Sequence, residues 1–267
     1  MNILQILVLF PVVYLSAKIA AKSSAPFFYA LFTFSMLSLA LEDLYWIAFD
    51  ILRPDSKMPF AADEIAGSAV VLLLASASGE LLSDSTKRRI GLRELLFSAL
   101  FTAANMTLWY AWSGEWFQDF VFGLPYVYLL YTLTRGIKST GVFDKRSSLF
   151  APAVSSLVIL LHFGVLFTAP PVSGLLDAVN YVLMFASCIA LFVKAAGDVR
   201  QEREGAVFSA FLMFFWSRIV IYMCTGTIYN MALFVNILTL PLMFFAVRGC
   251  RRHEPGEHTE LLENTAG

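Results

Sequence analysis

Residues Ala206–Val247 read AVFSAFLMFFWSRIVIYMCTGTIYNMALFVNILTLPLMFFAV, and Arg218 is the single charge among them. A bilayer core of ~30 Å takes about 20 apolar residues of helix, so this stretch is roughly two spans long. Thr225-Gly226-Thr227 lies between the halves as a turn signal, which predicts a helical hairpin, Ala206–Thr225 and Ile228–Val247. Both helices are apolar on every side, as a helix is when nothing around it is water.

Seven further windows of the same kind precede the hairpin. They are Ile3–Ala20, Pro26–Asp50, Glu64–Leu82, Glu94–Ser113, Phe117–Leu133, Leu149–Thr168 and Val172–Val193. Of the 267 residues 58% are apolar, 25 are Phe, and 15% are charged against about 25% in soluble domains. Such a composition excludes a soluble globular enzyme, a disordered chain, a disulfide scaffold and a basic nucleic-acid binder. The expected fold class is all-α: a polytopic membrane helical bundle of about nine transmembrane helices. The bundle spans 1–250, and a short disordered cytoplasmic tail spans 251–267.

Loop charges orient the bundle. Sixteen basic residues fall on one side, in loops after the first, third, fifth, seventh and ninth windows; Arg53 and Lys57 fall on the other. Basic loops stay in the cytoplasm, which puts the N-terminus outside and the C-terminus inside. The first window has no charge before Lys18, so it reads as an uncleaved helix and not as a signal peptide. The expected location is the plasma (inner) membrane.

Ionisable groups inside a bilayer cost ~2.5–3.5 kcal/mol each on insertion scales and normally face the bundle interior. The sequence places Glu42 and Asp43 in the second window, Asn105 in the fourth and His162 in the sixth. Asp177 and Asn180 fall in the seventh, Arg218 in the eighth and Asn236 in the ninth. At 1.5 Å per residue these polar groups lie ~8–12 Å beneath the outer surface, which predicts one polar layer shared by several helices and open to the outside. Arg218 needs an acid, since an unpaired buried charge is strongly destabilising. Asp43 and Asp177 match its depth. Glu42 points about 100° away from Asp43. Asp43, Trp46 and Asp50 share one face, and Asp63 and Glu64 begin the next helix at the same surface.

Trp46, Trp109, Trp112, Trp116 and Trp216 all lie between mid-helix and the outer surface. Trp112 and Trp116 suit an interfacial belt. Trp46 and Trp216, beside the acids and Arg218, suit a cavity wall that would attract a cation through its ring faces. The structural alternative is that polar side chains merely join helices, at ~1 kcal/mol or less per bond. Pro125 should kink the fifth helix, and Ala75 with Gly79 form a small-xxx-small pair for close helix approach.

No phosphate loop, dinucleotide fingerprint, nucleophile elbow or HExxH occurs, and no Lys lies mid-helix in the last spans. Cys188, Cys224 and Cys250 form no CxxC pair, and the tail string His253–His258 has poor metal-ligand spacing. No metal or other cofactor is expected. Three functions fit these residues. The first is binding or transport of a small solute from the outer side, a cation among the candidates. The second is sensing through a separate signalling protein, and the third is intramembrane lipid chemistry using Asp43, Glu42 and His162. No nucleophile supports the third, so the sequence leans away from an enzyme. The bilayer itself is the one partner the composition demands, with Arg251 and Arg252 placed to meet anionic lipid.

Overall fold

The computed structural model describes residues 2–23, 25–53, 62–114, 116–143 and 145–250. Lys57, the tail 251–267 with Arg251, Arg252 and the His253–His258 string, and the side chains of Asp63, Trp112, Lys145 and Arg146 lie outside the described part. The described residues are helical, with no strand among them. In chain order the helices are α1 (Asn2–Ala20), α2 (Pro26–Leu52), α3 (Ala62–Glu80), α4 (Asp84–Arg88) and α5 (Leu92–Ser113). They continue with α6 (Trp116–Thr140), α7 (Lys145–Phe167), α8 (Val172–Arg200), α9 (Ala206–Met223) and α10 (Gly226–Cys250).

Each apolar window coincides with one long helix. Five of them (α1, α2, α8, α9 and α10) are long and apolar enough to cross a membrane. The other long helices carry more polar residues, such as Arg93 and Glu94 in α5 and Asp119, Arg135 and Lys138 in α6. Large apolar side chains also crowd the outside: Phe10, Phe34, Leu100 and Val182 are all more than half exposed. Exposed apolar side chains of this size and number suit helices that face lipid. The chain is compatible with an integral membrane protein built from several apolar helices.

The hairpin break falls at Cys224 and Thr225. Cys224 is extended and its amide donates to the Ile221 carbonyl, while Gly226 takes a positive φ of 58° to start α10. That backbone region suits glycine, which has no Cβ to clash.

The bundle is organised around α9. Every residue of α9 except Leu212 and Tyr222 is buried. Its neighbours are α10, α8, α6 and α3; α1 packs between α2 and α10, α2 against α3, α5 against α6, and α7 against α8. Small residues let the backbones meet. A Cβ at Gly136 of α6 would fall 2.1 Å from the Phe208 ring of α9, so Gly136 is what lets that ring seat. Ala75 is fully buried in α3, and a Cβ at Gly79 would lie 3.5 Å from the Tyr128 hydroxyl of α6. Phe32 of α2 stacks on Phe211 of α9 with centroids 5.9 Å apart. Pro125 sits inside a continuous α6.

Three helical features differ from the sequence expectation, the first being that α6 runs on to Thr140, seven positions past Leu133, and takes in Arg135 and Lys138. The segment after α3 contains α4, whose N-cap Ser83 accepts a bond from the Thr86 amide at 3.4 Å. Helix α8 runs on to Arg200, seven positions past Val193, because its charges find partners. Buried Asp198 accepts from Lys194 Nζ at 2.6 Å, Arg203 Nη1 at 3.2 Å and Ser209 Oγ at 2.7 Å. This cluster ties the end of α8 to the start of α9.

Candidate functional site

Arg218 is the one charged residue of the enclosed helix α9, and its partner is Glu42 of α2. Arg218 Nη2 donates to Glu42 Oε1 at 2.9 Å and Oε2 at 3.2 Å, and to the Tyr222 hydroxyl at 3.1 Å. Both ends of the pair are sheltered, with side chains 8% and 13% exposed. Tyr222, one turn further along α9, also sets its ring 5.7 Å from the guanidinium carbon. A charged pair in low dielectric holds only when further bonds satisfy its remaining atoms. Here the tyrosine supplies one.

The pairing corrects the expectation that Asp43 or Asp177 serves Arg218. Rotation about the helix axis decided the partner. Glu42 carries one more methylene than Asp43, and α3 leaves it space. A Cβ at Gly67 of α3 would fall 3.2 Å from Arg218 Nη2 and 3.4 Å from Glu42 Oε2. Gly67 is therefore the gap through which α2 reaches α9.

Asp43 stands next to this pair and does not join it. It is 6% exposed, it feels the charges of both Glu42 and Arg218, and its Oδ2 has no hydrogen-bond partner among the described residues. Tyr229 of α10 feels the same three charges. Trp216 is buried, and among the described residues neither its indole N–H nor Arg218 Nε has a hydrogen-bond partner. Two acids thus face one guanidinium, leaving one formal negative charge over and several idle hydrogen-bonding atoms.

From Tyr222 a run of packed rings continues away along α5, α6 and α9. Trp109 packs 5.1 Å from Tyr222 and 5.5 Å from Tyr126, and Tyr126 lies 5.9 Å from Phe215. Trp109 was legible only as one more outer tryptophan. Its position four residues after Asn105, on the same face of α5, was the available clue.

The remaining polar residues sort into separate groups. Asn180 of α8 meets His162 of α7 at 3.2 Å (Nδ2 to Nδ1), and Asp177 is close enough to act electrostatically on His162 and on Tyr181. Asp177 forms no ion pair with Arg218. Asn236 of α10 donates to Ser217 Oγ of α9 at 2.7 Å. Asn105 donates to the Phe101 carbonyl of its own helix at 2.9 Å. Trp46 is 38% exposed and Asp50 is exposed, so the face they share with Asp43 runs from the interior to the surface of the bundle. Asn105, Asn180 and Asn236 are all buried, and each keeps an unpartnered side-chain oxygen. Among the described residues no three His, Cys, Asp or Glu side chains are grouped to hold a metal, and no cysteine is in a disulfide.

Comparison with known protein families, with curated proteins and with solved structures finds no match.

Proposed function

We propose that the chain is a nine-span protein of the plasma (inner) membrane, N-terminus outside, that binds a small cationic solute at Asp43 and carries it across the bilayer. The observation that carries this reading is the idle carboxylate oxygen of Asp43. A buried acid beside an already matched Glu42–Arg218 pair serves no packing purpose. Buried polar atoms without partners are rare in native folds and ask for an explanation, a ligand among them. Removing the charge of a cation by pairing it with Asp43 would balance the site. The ring wall around Tyr222 and Trp109 supplies a surface that attracts cations. Trp46 and Asp50, on the face that leads from Asp43 to the surface, supply the route from the outer side.

The test is uptake into proteoliposomes. The purified protein is reconstituted, and entry of radiolabelled methylammonium, choline and putrescine is followed in parallel. Uptake of at least one should saturate, and Asp43→Asn should abolish it while gel-filtration profile and helical circular dichroism stay unchanged. Saturable binding without entry would turn the reading toward sensing through a separate protein. No binding of any of these cations, or a D43N variant that binds as well as the parent, would overturn it.

A further inference from the structure

At the end of the bundle where α5 begins and α6 ends, a cleft of about 490 Å³ opens between the α4–α5 turn and α6. Arg89, Arg135 and Lys138 line it, against one carboxylate, Glu94. Glu94 is engaged, accepting from Lys138 Nζ at 2.5 Å. Arg135 is 9% exposed. Its guanidinium donates to the Tyr131 hydroxyl at 2.9 Å and to the backbone carbonyls of Thr86 and Arg89. All three acceptors are neutral, so they satisfy its N–H groups without cancelling its charge. Among the described residues neither Arg135 nor Arg89 has a carboxylate within ion-pair distance. Glu94 acts on Arg135 through space as well as on Lys138, so three cations share one acid and two positive charges are left for an anion to complete.

We propose that this cleft binds the phosphate of an anionic membrane lipid. Phosphate suits the chemistry, because guanidinium groups recognise its oxygens through directed, charge-assisted bonds. A lipid, as opposed to a soluble phosphate ester, suits the surroundings. Ile90 and Leu92 flank the cleft 80% and 63% exposed, an apolar shelf for acyl chains beside a basic pocket. The cleft also lies at the end of a bundle of apolar helices, where the proposed nine-span arrangement puts the headgroups. Arg135 is the fixed charge of the site, since it holds the α4–α5 turn in place. Arg89 and Lys138 are the adjustable ones.

Native mass spectrometry of the full-length protein, released from nanodiscs of phosphatidylcholine doped with phosphatidic acid, tests the assignment. Phosphatidic acid should be retained in preference to phosphatidylcholine. The Arg89→Gln/Lys138→Gln double variant should weaken that retention about thirtyfold, two charges at ~1 kcal/mol each. Glu94→Gln should strengthen it about fivefold, a change of sign that a purely structural acid would not produce. Both variants alter partly or fully exposed side chains and leave Arg135 in place, so the fold persists. Equal retention of both lipids, or retention unchanged in the two variants, overturns the site. Displacement of phosphatidic acid by submillimolar glycerol 3-phosphate would identify a soluble phosphate ester as occupant and overturn the lipid.

Discussion

Arg218 and Glu42 are 176 positions apart in the chain and 2.9 Å apart in space. The pair links the second helix to the ninth across the backbone of the third, at Gly67. It therefore fixes where three helices sit relative to one another and where Asp43 is held.

Breaking the pair from one side should be expensive. Arg218→Gln leaves two buried acids without a cation and is expected to remove about 3–5 kcal/mol, and Glu42→Gln, which leaves Arg218 with Asp43 nearby, should cost less. The double variant Glu42→Met/Arg218→Met removes both charges of the pair, leaves Asp43 as the remaining acid there, and should recover part of that loss. Thermal unfolding midpoints in detergent for the singles and the double give the coupling. Additive effects would mean that the two groups do not depend on each other.

Gly67 should tolerate little. Its missing Cβ leaves 3.2 Å to Arg218 Nη2, which a methyl group narrows and a larger chain closes. Gly67→Ala is expected to lower stability slightly, and Gly67→Leu by about 1–3 kcal/mol, the range for overpacking. The same series should reduce solute uptake in the same order, because the displaced pair shifts Asp43. Uptake that survives Gly67→Leu would detach Asp43 from the pair.

Gly136 offers a control away from the charged group. A Cβ there would overlap the ring of Phe208, itself 1% exposed and without room to retreat. Gly136→Ala should destabilise by about 1–3 kcal/mol, and a second change, Phe208→Leu, should restore part of it. Unfolding midpoints decide the matter, and a neutral Gly136→Ala would show that α6 and α9 can separate freely.

Orientation is open to labelling. Ser85 and Thr168 are both exposed and lie at opposite ends of the bundle in the nine-span reading. With Cys188, Cys224 and Cys250 replaced, Thr168→Cys should react with an impermeant maleimide added to intact cells. Ser85→Cys should react only after the membrane is opened. Labelling of both from outside would break the nine-span alternation.

Much of the architecture could be read from residue order. The hairpin break at Cys224-Thr225 and the long helices among the described residues follow from apolar run length and from where charges interrupt it. Rotation about each helix axis could not be read. Helix α2 is apolar nearly all round, so no stripe showed which of two adjacent acids faced inward, and Glu42 was passed over for Asp43. The extension of α8 was hidden for a related reason. Lys194 and Asp198 look like the start of a loop until Ser209 and Arg203 close around the acid. Arg135 was counted among loop cations because its acceptors are backbone carbonyls, which leave no trace in residue identity.

The enclosure of α9 carries a consequence for biogenesis. The chain emerges from synthesis in order, and α9 arrives late, after the helices that wall it on three sides have been made. Until then the early helices can only frame a slot lined with surfaces meant for Phe208, Phe211 and Phe214. The last hairpin completes that frame like a keystone, and a nascent chain halted before residue 206 should be held by quality control, not released as a smaller working bundle.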